Sequence, residues 1–162
     1  MSPADWDRYH GWVRLAETLP GGDTLIVYGH EEITIEQAKT LKPGAWLNDS
    51  ILHYFTNTVK KPFQIKNSSV VFFPSFFISL LFHDGHANPE VDGTYTYQNV
   101  QTWAKKKLRH TKKPINEIET MVFFYNEGRM HWITYTIFQD LKIIEEFDSM
   151  GSTDGRNSTK LK

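Results

Sequence analysis

Apolar residues in the last third of the chain gather into three runs of strand length: TMVFFYN, HWITYTIF and KIIEEFD. Each is rich in aromatic and β-branched residues, which fit a pleated, half-buried surface. Earlier, TLIVYG (Thr24 to Gly29) reads as a short strand, and EITIEQAKTL passes from strand into a helical turn that KPG (Lys42 to Gly44) breaks. VVFF (Val70 to Phe73) is a further strand, ended by Pro74, and Ser75 stands where it would cap a short helix over SFFISLL.

Two stretches carry a helical period instead. Asn48 and Asp49 occupy an N-cap, and Ile51, Leu52, Phe55 and Val59 then fall on one face. Lys60 and Lys61 suit the end of that helix and Pro62 stops it. A second helix runs from about Tyr97 to Leu108, with Val100, Trp103, Ala104 and Leu108 on one side. Residues 1–23 close on the turn signal LPGGD and read as an N-terminal arm, which leaves residues 24–162 as the domain proper. HDGHANPEVDG (His83 to Gly93) and the tail GSTDGRNSTKLK are loop by composition. Helices first and consecutive strands later predict an α+β fold, a central, mostly antiparallel sheet flanked by helices.

Composition narrows the function. The 162 residues are 40% apolar, with eleven Phe and five Trp, enough for one domain with a true core. Eighteen basic residues against nineteen acidic ones provide no field for nucleic acid or an anionic membrane. The run KKKLRHTKK (Lys105 to Lys113) reads as a solvated helix end and loop. There is no cysteine, hence no disulfide framework and no thiolate metal site. His83, His86 and downstream Asp92 are a weak metal signal, and loop histidines without a ligand role are far commoner, so no metal is expected. The start lacks the apolar core of a signal peptide, and the longest apolar run, VVFFPSFFISLLF, is too short to span a bilayer. These features predict a soluble intracellular protein, nuclear or cytoplasmic.

The chemistry sits in HWITYTIFQDLKIIEEFDSMG, His131 to Gly151. A turn centred on Gln139-Asp140 sets His131 opposite Asp148, with Cβ atoms roughly 4.5–5.5 Å apart, whether its loop has two residues and pairs Phe138 with Leu141 or has four. Gln-Asp is not a favoured two-residue turn pair, so the four-residue loop is expected. A carboxylate on one imidazole nitrogen fixes the tautomer and makes a better base, two-thirds of a nucleophile–His–Asp triad. On spacing alone an ordinary cross-strand polar pair stays open.

The wider pattern resembles the ubiquitin-like-protein-specific proteases, also called SUMO- or sentrin-specific proteases. LKPGAWLNDSILHYF, FFPSFFISLL, YQNVQTWAKK and the His131–Gly151 block are similar, in order, to that family's motifs, over about residues 24–151. The resemblance implies a papain-like cysteine protease fold without a cofactor, with SUMO or another ubiquitin-like protein and its conjugates as partners. It implies hydrolysis after a C-terminal Gly-Gly, in maturation or deconjugation. His131 matches the general base and Asp148 the residue that orients it. Trp46 and Trp132 match two tryptophans flanking a narrow channel for the Gly-Gly tail, and Asp49 and Phe76 match contacts to the partner's body. Flat indoles suit a channel that admits glycine backbone and excludes side chains. One departure is local: Phe124 stands where a Pro is expected, two residues before the retained Asn126.

The larger departure is the nucleophile. The family's Gln and Cys lie well after the Asp-Ser segment, and this chain reaches Lys162 without them. Ser149 and Ser152 adjoin the aspartate without a nucleophile-elbow pattern. The expectation is a C-terminally incomplete catalytic domain that cleaves nothing alone, exposes apolar strand surface and is marginally stable unless a second chain supplies the missing segment. The competing expectation is a binding module that holds a ubiquitin-like protein without catalysis.

Overall fold

Five strands carry the C-terminal part of the molecule, and the two catalytic candidates lie at the ends of two of them. The computed structural model describes residues 2–28, 31–59, 69–82, 96–109, 111–128, 130–151 and 156–160. They fall into two compact units, Met1–Thr58 and Val59–Lys162.

The N-terminal unit begins with a helix that the sequence reading did not assign, α1 (Pro3–Thr18). Its start is a capping box: the Asp5 N–H donates to Ser2 Oγ at 3.3 Å, the Ser2 N–H donates to Asp5 Oδ2 at 3.0 Å, and Pro3 supplies a preset φ. Strands β1 (Thr24–Tyr28) and β2 (Glu31–Thr34) pair antiparallel. A second capping box, Thr34 with Gln37, turns the chain into α2 (Ile35–Lys39). Ile33, Ile35, Ala38 and Ala16 are buried. Asn48 caps α3 (Asp49–Tyr54) as expected, its Oδ1 accepting from the Ile51 N–H at 3.0 Å. The predicted single helical face then fails: residues Phe55–Val59 form a π turn. The wider turn shifts the register, so Thr56 is buried and Phe55 is exposed. Lys60 and Lys61 lie outside the described residues.

The C-terminal unit orders its strands β3 (Val70–Phe72), β4 (Thr120–Glu127), β5 (His131–Phe138), β6 (Ile143–Asp148) and β7 (Arg156–Lys160). β3 runs parallel to β4, and every other pairing is antiparallel. The unexpected strand is β7, since the polar tail gave no alternating pattern to read. Regular pairing of β4 with β5 continues through Phe124, so a Phe in place of the family's Pro leaves the ladder intact.

One face of this sheet is covered by α4 (Phe77–Leu81) and α5 (Gln101–Leu108). Val71 and Phe73 from the β3 segment, Met121 and Phe123 from β4, Phe77 from α4, Val100 and Ala104 at α5, and Ile118 make the core, with Tyr135 and Ile137 of β5 against it. The helical face expected over Val100, Trp103, Ala104 and Leu108 is the one that packs. Ser75 does not cap α4. Phe76 holds that position without a side-chain bond, and the entry is a backbone turn in which the Phe77 N–H donates to the Pro74 carbonyl at 3.0 Å.

Among the described residues no helix is long and apolar enough to cross a membrane, and no group of His, Asp and Glu is arranged to hold a metal ion. His83, His86 and Asp92 lie outside the described residues.

Candidate active site

His131 opens β5 and Asp148 closes β6, and their contact depends on the hairpin between them. The loop has the four residues expected, but it is centred one residue later. Phe138 pairs with Ile143 and Ile133 pairs with Asp148, so the loop is residues 139–142 and the register lies two residues from the expected one. Leu141 is exposed in the turn and Lys142 takes the left-handed backbone, φ 55°, that closes it. His131 and Asp148 are therefore diagonal neighbours. They share a face because strand side chains alternate with period two. Diagonal positions are roughly 7–8 Å apart at the backbone, within reach of an imidazole. The His131 Nε2 hydrogen-bonds Asp148 Oδ1. The shift of two preserved the face, and long side chains closed the remaining gap.

The aspartate is held from the other side too. The Met150 N–H donates to the same Oδ1 at 2.8 Å, folding Asp148 to Gly151 into a tight turn. The Met150 N–H, then His131, then the Gly151 N–H hold the Asp148 carboxyl below the usual carboxylate range, against the opposing effect of burial. It is ionised at neutral pH. The side chains of His131 and Asp148 are 15% and 21% exposed, so the pair is shielded from bulk water yet open on one side. With Nε2 committed to Asp148, the imidazole has Nδ1 for a second partner, and among the described residues Nδ1 has none.

Three features of this site were not anticipated. Tyr135 lies opposite Glu146 on the same face, two positions along β6 from Asp148. Burial first, then its hydrogen bond to Glu146 and the charges of Glu146, Glu127 and Asp148, push the Tyr135 hydroxyl up to about 12. Glu127 is the direct partner of His131 on β4, so carboxylates stand on both sides of the imidazole's strand. Gly151 is the third. A Cβ there would lie 3.1 Å from Asp148 Oδ2 and 3.2 Å from its Cβ and Cγ. The Asp-Ser-Met-Gly sequence carried that signal, a glycine placed where a carboxylate turns back on its own backbone.

The contact at Gly151 makes a prediction. Asp148 is pinned by two bonds and has little room to yield, so Gly151→Ala should cost about 1–3 kcal/mol of overpacking and displace the carboxylate from His131. The deshielded Nε2–H proton resonance of His131 should weaken or vanish. Ser149→Ala, at an exposed neighbour, should keep it.

The other sequence candidates are placed as follows. Trp132 points to the opposite face from His131 and pairs with Asn126, whose Oδ1 is a buried acceptor without a hydrogen-bond partner among the described residues. Phe76 is 52% exposed at the start of α4. Trp46 and Asp49 belong to the N-terminal unit. Trp46 is 61% exposed in the segment before α3, and Asp49 is the first residue of that helix, where a negative charge meets free backbone N–H groups. Of the six, the structure brings His131 and Asp148 into direct contact.

Residues 45–161 match the Ulp1 protease family, C-terminal catalytic domain. The chain is 31% identical over 121 residues to Ubiquitin-like-specific protease 1 of Saccharomyces cerevisiae, which covers 75% of this chain and 16% of the yeast protein. It superimposes on the X-ray structure of the C-terminal Ulp1 protease domain in complex with Smt3, the yeast orthologue of SUMO, with a TM-score of 0.67 and 27% identity. It also superimposes on the SUMO protease Ulp1 with its catalytic cysteine oxidised to a sulfonic acid, with a TM-score of 0.66 and 26% identity. Both superpositions cover 94% of this chain and 58% of the other. The chain thus spans less than two thirds of the length of each of these relatives.

Proposed function

This chain belongs to the Ulp1 protease family, and we propose that it carries the base and the orienting carboxylate of a cysteine protease acting on SUMO or a similar ubiquitin-like protein. The proposed reaction is hydrolysis of the bond after a C-terminal Gly-Gly, in maturation or deconjugation, inside the nucleus or cytoplasm. The observation that carries this reading is the His131 Nε2 bond to Asp148, which leaves Nδ1 as the proton acceptor. Nδ1 takes the proton of a thiol, and the charge of Asp148 stands where positive charge develops on the ring. The thiolate attacks the carbonyl carbon of the second glycine, its C–N bond breaks to leave a thioester, and His131 gives the proton to the leaving amine. Water, deprotonated by the same ring, then releases the tail from the thioester.

The 162 residues contain no cysteine, so the thiol must come from outside them. By themselves they are expected to bind the tail without cleaving it. We assign tail contact to the indoles of Trp132 and, in the N-terminal unit, Trp46. Contact with the partner's body is assigned to Asp49 and Phe76.

The test is a ubiquitin-like protein bearing a fluorogenic group after its Gly-Gly. The expected result is measurable binding, about ten-fold weaker for Trp132→Ala, and no turnover above background. Turnover by these residues alone would overturn the account of the nucleophile. The absence of cysteine also favours a second reading, a binding module without catalysis. The intact mass of the native protein separates the two. A species several kilodaltons above 18.9 kDa that reacts with a thiol-directed probe on the Gly-Gly tail supports the protease, and a mass matching these residues supports the module.

A further inference from the structure

We propose that the outer face of α5 and the turn that follows it form a docking ridge for an acidic polypeptide segment. The inner face of this helix is spent on the core through Val100 and Ala104. Its outer face carries Lys105 and Lys106, then Arg109, then Lys112, all exposed. Spacings of three and four residues put successive cations in the helix about 5–6 Å apart, in one row. Ion pairs join Arg8 with Asp5, Lys42 with Glu17, His53 with Glu31 and His131 with Asp148. None engages the four cations of the ridge. Lys113, by contrast, is compensated at home: its Nζ donates to Ser69 Oγ at 3.1 Å, and that hydroxyl donates to Glu119 at 2.7 Å.

The helix dipole accounts for lysines in the last turn of α5 but not for cations beyond its end. Lys112 lies four residues past Leu108 and holds φ 56°, a left-handed backbone that a long side chain adopts at a cost. A buried side chain enforces it. Thr111 is 6% exposed, its Oγ1 donates to the Leu108 carbonyl at 2.7 Å, and the same oxygen accepts from the Lys113 N–H at 3.1 Å. The turn is built, and what it builds extends a row of like charges that repel one another. A surface of this kind is stabilised by an anionic partner.

The partner's chemistry follows from what accompanies the ridge. Single-stranded nucleic acid is held by cations interleaved with aromatic platforms, and among the described residues of α5 the aromatic, Trp103, is packed against the core. Membrane attachment wants exposed apolar side chains among the cations, and Leu108, the apolar residue between them, is packed against the core. The chain as a whole carries a formal charge of −1, which disfavours a long polyanion while leaving a local match to a short one. An extended peptide with a carboxylate at every second residue repeats at about 6–7 Å, close to the cation spacing.

The test is fluorescence anisotropy of a fluorescein-labelled decapeptide of alternating Asp and Ser with the 162-residue chain. The expected result is binding that weakens with salt, about ten-fold weaker for the Lys105→Ala/Arg109→Ala/Lys112→Ala variant at unchanged circular dichroism. Lys142→Glu, at another exposed left-handed lysine, should change it less than about two-fold. If the triple variant fails to fold, Lys112→Gly serves instead, because glycine suits that backbone while removing one charge, and about a two-fold loss is expected. Equal binding by either ridge variant would overturn the proposal. So would tighter binding of an oligothymidylate of the same charge, or of phosphatidylserine vesicles, through the same residues.

Discussion

Asp148→Asn should leave the fold standing and remove most of the chemistry. In any form of the protein that carries a reactive thiol, kcat/KM for release of a group after Gly-Gly should fall by about 10²–10⁴-fold. Asp148 Oδ1 already accepts from the Met150 N–H, and an asparagine oxygen can keep that bond. The amide then offers its NH₂ to the ring, and a ring that accepts at Nε2 must carry its proton on Nδ1. That tautomer has no lone pair for the thiol proton, and the charge that supports the protonated ring is gone. Nitrogen-15 spectra of His131 in the 162-residue chain report the tautomer directly, without a nucleophile. An unchanged tautomer with less than a ten-fold loss of rate would contradict this account.

The same substitution has a pH signature. The folded carboxyl is held below its ordinary range, so its contribution to stability is complete above about pH 4 and fades as pH falls through the lowered folded value. Wild type and Asp148→Asn should therefore differ in Tm near neutrality and converge in strong acid.

Phe73→Ala should be the most destabilising single truncation in the C-terminal unit. Phe73 is fully buried, with its ring centroid 4.6 Å from Phe77 and 4.6 Å from Phe123, nearly parallel to the latter at 8°. It joins the β3 segment, α4 and β4 at one point, so a cavity there cannot be filled from one side alone. The expected cost is about 3–5 kcal/mol, lost burial and cavity together. Against a typical domain stability of about 5–15 kcal/mol this threatens folding itself. Denaturant unfolding measures it, and Phe73→Leu should cost much less, about 1–2 kcal/mol. A loss under about 1 kcal/mol for the alanine variant would mean that the core collapses freely around this ring.

Much of this architecture was legible in the chain. Strands announced themselves where residues alternate or cluster with β-branched and aromatic character, as in HWITYTIF, and α5 did so through its period. The pairing of His131 with Asp148 was legible as a face but not as a register. Gln139-Asp140 looks like the centre of the turn, yet Lys142 takes the left-handed residue one step later, and only tertiary context selects it. β7 was illegible because its sequence, RNSTK, is polar throughout and shows no alternation of apolar and polar positions. The π turn at Phe55–Val59 and the helix at Pro3–Thr18 differ in kind. The first breaks a regular apolar pattern with no sequence mark, and the second was marked plainly by Ser2, Pro3 and Asp5.

The parallel pairing of β3 with β4 bears on the order in which the protein assembles. His131 and Asp148 are joined by a four-residue hairpin loop, whereas Val70 must find Thr120 across fifty residues of chain. Closing the longer loop costs about 2 kcal/mol more entropy than closing the shorter. The meander of β4, β5 and β6 is therefore expected to form first, with β3 docking onto it later. On that order the contact between His131 and Asp148 is expected to form before the core beside it closes, and refolding monitored by amide protection should show β5 and β6 protected ahead of β3.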